Sequence, residues 1–381
     1  MKKVLRIILS LLGGLLVGLA LAHFGIWLVD GGSGGSSGDA DFDLGEFVTV
    51  VVMMAVSLVV AYVVNTALHE AGHLVGGLMS GYRFLSYRVF SLALMRDEEG
   101  RLRLRRYSLA GTAGQCLMDP PEGDGAELPF VCYHAGGVAM NVLVAVVAVV
   151  LLRLTDPGVV GLSFGLMMLF TTLFMILTNG VPLKFSGFPN DARNLYDLCR
   201  SRGMRRDVVN QMRVVSSYAR GRRLVEMPQE WLQPVEHLDV RNIHQLASQI
   251  NHIGLLEDEG RFDEARREAE ALMDSGAKLP QLVRMELGGE QLFLELATLR
   301  RQDVVDRLWD KTLQRYVSRA SRYSPGKQAV LFAVDLVVSH DREAAMARLQ
   351  TVADHENGYA FPGEARVAKA MMEKLLENYI A

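Results

Sequence analysis

The sequence predicts a polytopic α-helical membrane protein with about four transmembrane helices, a small β-hairpin or sheet at the cytoplasmic face, and a C-terminal all-α helical-repeat domain. Three observations lead there. Long uncharged runs crowd the part before residue 184, whereas 194–381 is rich in Arg, Glu, Asp and Lys, so the two parts suit different solvents. Lys and Arg cluster in some of the segments between the runs and avoid others, as membrane topology requires. Turn signals recur roughly every 40 residues in the polar part, near the period of α-helical hairpin repeats. With 50% hydrophobic residues, 22% charged residues and a formal net charge of −3 over 381 residues, the chain is neither a disordered tail nor a basic nucleic-acid binder.

The first uncharged run is Ile7–Val29, long enough to cross a hydrocarbon core of ~30 Å. Lys2, Lys3 and Arg6 precede it as in a signal peptide, but no persuasive small-residue cleavage site follows, so 1–30 reads as a retained anchor. Gly31–Gly38 reads GGSGGSSG, a flexible composition, native or introduced; with it, 31–46 is an extracytoplasmic linker rich in Asp. The second run is Phe47–His69, in a span expected over 47–79. Residues 82–118 alternate at period two around Asp97-Glu-Glu-Gly100, with Tyr87–Met95 on one side and Arg101–Tyr107 on the other, and this reads as a β-hairpin. The third and fourth runs, Ala135–Leu152 and Pro157–Leu183, give spans at 134–155 and 157–180, with a turn at Asp156-Pro157-Gly158. Basic residues gather before the first span, between the second and third (Arg83, Arg88, Arg101, Arg103, Arg105, Arg106), and after the fourth (Lys184, Arg193, Arg200). These segments should share the cytoplasmic side, which places both termini in the cytoplasm of a multi-pass cell-membrane protein.

From 195 to 381 the pattern is helical, with breaks at Pro228, Pro234, Pro280 and Pro325. Turns at Gly260–Asp263, Arg301–Asp303 and Ser339–Asp341 suggest tetratricopeptide-like units in a short solenoid, each Asp capping the second helix of its hairpin. Its surface is either a site for a cytosolic protein partner or a stabilising tail. Cys116, Cys132 and Cys199 make an odd count without metal-type spacing, and read as small buried hydrophobes or inert thiols.

One motif carries chemistry. His69-Glu70-Ala71-Gly72-His73 is an H-E-x-x-H match at the inner end of the second span. Spacing of i and i+4 sets both imidazoles on one helical face, where they can grip one zinc ion with Glu70 beside the open coordination position. Two surface histidines and a snorkelling glutamate are the bland alternative, but three ionisable residues in five would be costly in lipid unless they pair or bind metal. A catalytic zinc needs a third ligand from the same membrane side, and Asp191, after Pro189-Asn190, is the candidate; on its own it would be read as a turn or helix cap.

These residues, with Gly136-Gly137-Val-Ala-Met-Asn141 and Asn179-x-x-Pro182 leading to Asp191, resemble the site-2 proteases, a family of intramembrane zinc metalloproteases. The likeness covers about residues 47–200. It implies one Zn²⁺ per chain held by His69, His73 and Asp191, Glu70 as catalytic base, and hydrolysis of transmembrane protein substrates within the lipid bilayer near the cytoplasmic interface. It also implies a substrate strand added to an exposed sheet edge, for which Thr112–Cys116 with Gln115 is the plausible place, and Asn141 as either a transition-state hydrogen-bond donor or a helix–helix contact. His134 is either a partner behind a ligand or an interfacial histidine. Asp191 is followed by Ala192 where the family usually has Gly, and the Gly-Pro of the family's helix start is absent. The competing expectation is a catalytically idle membrane scaffold whose helical repeats recruit partners.

Overall fold

The computed structural model describes residues 44–97, 99–107, 112–275 and 279–380. The expected first span, the Gly/Ser tract and the N-terminal side of the linker lie outside them. The chain is mostly helical, with one four-stranded antiparallel sheet and a C-terminal helical region. It divides into two compact units, residues 1–72 with 137–181, and 73–136 with 182–381.

Among the described residues, three helices are long and apolar enough to cross a membrane: α1 (Leu44–Met79), α2 (Val131–Leu154) and α3 (Gly158–Gly180). They bear the marks of a membrane protein, since Val52, Val56, Val59, Leu143, Val146, Leu151 and Leu173 all lie exposed on their surfaces. The linker expected to reach residue 46 stops sooner, because Leu44-Gly-Glu-Phe already belongs to α1.

In the first unit, α1 and α3 are joined by a buried polar clamp. Asn65 Nδ2 donates to Thr171 Oγ1 at 2.6 Å and to the Met168 carbonyl at 3.2 Å, while Thr172 Oγ1 donates to Asn65 Oδ1 at 2.8 Å. Lipid offers such groups no partners, so the clamp also fixes which faces of the helices meet. Ala61, Leu166, Met167 and Met168 pack around it.

The second unit opens with the last turns of α1 and the sheet of β1 (Arg83–Val89), β2 (Leu92–Arg96), β3 (Leu102–Arg106) and β4 (Gly114–Asp119), in the order β3-β2-β1-β4. The expected hairpin corresponds to β2 and β3, which pair around Asp97–Arg101 with Leu94 opposite Leu104. Tyr87–Met95 is not one strand, however: the backbone reverses at Phe90, in the left-handed region with φ 53°, and β1 turns back as β2. Buried Arg88 secures that reversal by donating to the carbonyl of Phe90 and to Thr112 Oγ1, so one of the basic residues that orient the segment lies inside the protein.

Beyond the short pair β5 (Lys184–Phe185) and β6 (Phe188–Pro189) come α4 (Asp191–Arg200), α5 (Arg202–Ala219), α6 (Ile243–Asp258), α7 (Phe262–Met273), α8 (Gln281–Ala297), α9 (Gln302–Leu308), α10 (Lys311–Ala320), α11 (Pro325–Ala333), α12 (Arg342–Asp354) and α13 (Pro362–Ile380). Leu246, Phe262, Leu292, Phe293, Phe332, Val352 and Met372 share their core. Pro280 and Pro325 stand at helix starts, as their fixed φ favours. Of the three expected Asp caps only Asp341 caps, accepting from Ala344 N at 2.9 Å. Asp263 and Asp303 fall inside the first turns of α7 and α9, because Arg261 and Arg301 occupy the cap positions. All three cysteines are free; Cys116 is buried, but Cys132 and Cys199 are exposed, which corrects the expectation of burial for those two.

Candidate metal centre

His69, Glu70 and His73 lie on α1, all three buried. An unmet imidazole or carboxylate there would be costly, so where each ring nitrogen goes matters. His69 Nδ1 meets Asn141 Oδ1 at 2.6 Å. His73 Nδ1 meets the carbonyl oxygen of Tyr133 at 2.8 Å. A carbonyl only accepts, so each Nδ1 carries a proton, which leaves Nε2 as the ring nitrogen that can ligate a metal. This is the arrangement that a metal-binding histidine takes, fixed from behind by a hydrogen bond.

The loop after α3 delivers the third group. Ser186 and Gly187, with φ 52° and 93°, make the two-residue turn of the β5–β6 hairpin, in which Phe185 pairs with Phe188. Asn190 then caps α4: its Oδ1 accepts from Arg193 N at 2.9 Å and from Leu183 N at 3.1 Å, closing the loop on itself. Asp191 is therefore the first residue of a helix, a position favourable to a carboxylate. The backbone turn left open by the missing Gly settles here, because Ala192 lies within a regular helix and needs no left-handed φ.

Asp191 Oδ2 lies 3.4 Å from His73 Nε2. One ligand atom from each of His69, His73 and Asp191 falls within 4.8 Å of the others, and the three can hold a metal ion. With Nδ1 of His73 turned to Tyr133, its Nε2 is the nitrogen that faces the Asp191 carboxylate, a pairing made either by a second ring proton or by a cation between them. Two imidazoles and a carboxylate are a donor set found around catalytic zinc and around non-haem iron(II).

Sequence reading missed what holds these groups. Gly76 lets α1 approach the start of α2, since a Cβ there would stand 2.0 Å from the Cys132 carbonyl oxygen. The neighbouring Tyr133 ring stacks on Tyr82 at 5.5 Å between centroids, and its hydroxyl donates to the Cys116 carbonyl at 2.8 Å. His134 packs edge-on against Tyr133, with centroids 5.0 Å apart. Asn141 has its carbonyl oxygen behind His69, while its Nδ2 is buried without a hydrogen-bond partner among the described residues. Gln115 sits on β4, at the sheet edge, with Oε1 buried and likewise without a partner among them. The Gly76 pattern, one turn past the second His, was a signal available in the sequence; a backbone carbonyl was not.

No protein-family model, curated protein or solved structure matches this chain.

Proposed function

We propose that the chain is an intramembrane zinc metalloendopeptidase of the site-2 protease kind, cutting transmembrane protein substrates near the cytoplasmic interface of the cell membrane. The observation that carries this reading is the meeting of Asp191 with His73, since it completes a three-ligand set from two remote stretches of chain. In this reading 7–29 adds a fourth span, both termini are cytoplasmic, and the C-terminal helices form a tetratricopeptide-like partner surface.

His69, His73 and Asp191 would hold the zinc, which when bound polarises a carbonyl and lowers the pKa of a water towards ~7. The remaining work belongs to the chain. Glu70, buried next to His69, takes the proton of the attacking water and returns it to the leaving amine. Asn141 and the Tyr133 carbonyl keep the imidazoles in the required tautomer. Edge strand β4, with Gln115, accepts the substrate backbone as an added strand, which unwinds a helical substrate so that its peptide bond can be attacked.

Glu70→Gln tests the reading. Cleavage of a membrane-embedded reporter substrate by the purified chain in detergent should fall by at least about a hundredfold while zinc content is unchanged. Full activity would remove Glu70 from the chemistry. An unsubstituted chain that binds zinc yet cuts no membrane substrate would favour the scaffold.

A further inference from the structure

The two faces of the sheet are finished differently. On one face Ala93, Met95 and Tyr107 are buried against Ala360 and Phe361 of the C-terminal helical region. On the other, Tyr82, Cys116 and Met118 pack with Tyr87 against Leu74, in the last turns of α1, Tyr133, at the start of α2, and Met212 of α5. Directly opposed residues of antiparallel strands share a face. Leu94 is opposite Tyr87, and Leu104 is opposite Leu94, so these leucines continue the face that meets the helix ends. Along that continuation Leu92, Leu94, Leu102 and Leu104 are 46%, 38%, 54% and 65% exposed.

Arginines bound the patch. Arg106 is opposite Leu92 and Arg96 opposite Leu102, which puts an arginine at each end of the leucine cluster; Arg96 Nη1 also donates to the Gly100 carbonyl at 2.7 Å, and Arg101, at the turn, is paired with Glu99. The chain also restricts where the patch can be. Only Ser80-Gly81-Tyr82 separate the end of α1 from β1, a reach of at most ~14 Å. Arg96 and Leu102 lie at the same end of the sheet as the start of β1, because β2 runs back along β1.

Leucines fringed by arginines, on the face turned to the ends of apolar helices, match a bilayer surface, with alkyl side chains at the acyl boundary and guanidinium groups on phosphates. We propose that the Leu92/Leu94/Leu102/Leu104 face, with Arg96 and Arg106, docks on the anionic headgroup layer of the membrane and anchors the sheet there. This inference does not depend on the protease reading.

The test uses the full chain in vesicles whose lipids carry bromine on the acyl chains, and reads the tryptophan quenching that Leu104→Trp adds to the parent. With about a third of the lipid phosphatidylglycerol, the added fluorescence should be quenched roughly twofold or more beyond that of Arg103→Trp on the opposite face. It should weaken in phosphatidylcholine alone and after combined Arg96→Gln and Arg106→Gln substitution. Leu94→Trp repeats the measurement should Leu104→Trp misfold. Fluorescence unquenched in both lipid mixtures, or shielded only after a peptide substrate is added or as the chain self-associates, would overturn the proposal. So would quenching indifferent to both lipid charge and the arginines, since the headgroups would then have no part.

Discussion

At the residue scale, the site is a set of constraints on two imidazole rings. His69 is fixed by a side-chain oxygen and His73 by a backbone one, so the two can be loosened independently. Asn141→Leu keeps the bulk but removes the oxygen, and zinc affinity should fall about 10–100-fold, measured by competition with a chelating dye. Unchanged affinity would mean that helix packing alone orients His69. Gly76→Ala forces α1 and α2 apart, because the added carbon would meet the Cys132 carbonyl at 2.0 Å. It should lower zinc affinity and melting temperature together; a variant with parental zinc affinity would show that the Tyr133 carbonyl does not orient His73. The grouping of His69, His73 and Asp191 was legible in the sequence because metal chemistry restricts residue types and helical spacing restricts the offset of the two histidines. Tyr133 was not, because its contribution is a carbonyl oxygen that any residue carries.

At the element scale, apolar helices and alternating strands were legible because period and length are written directly in the side chains. The reversal at Phe90 was not, since it interrupts a run of unbroken β-propensity and depends on Arg88 bonding carbonyls brought together only by the sheet. The expected caps at Asp263 and Asp303 failed for a related reason: helix starts shift by a residue or two when packing decides them. The helical region also conceals a charged group of α8, α11 and α13. Buried Lys327 sits 2.8 Å from Glu286 and 2.9 Å from Glu290. Burial, with Glu286 and Glu290 nearby and Lys327 opposing, pushes the Glu364 carboxyl up to about 7. A carboxyl that holds its proton more tightly in the folded chain than its ordinary 4.5 contributes stability below that value and loses it as pH rises through 7. Glu364→Gln should therefore match the parent near pH 4.5 and exceed it by about 1–3 kcal/mol at pH 8, read by denaturant unfolding at both pH values. An equal difference at the two would contradict the burial argument.

At the scale of the whole molecule, one helix and one distant loop must supply a common site. His73 lies two turns from the end of α1, Asp191 begins α4, and the β5–β6 hairpin with its Asn190 latch leads the chain into that helix start. Metal analysis of the purified full chain, unsubstituted and as Asp191→Ala, tests this most directly. About one zinc per chain in the parent and a loss of most of it in Asp191→Ala is the expected result. Equal zinc in both, or none in the parent at saturating metal, would contradict the claim that His69, His73 and Asp191 share a single cation.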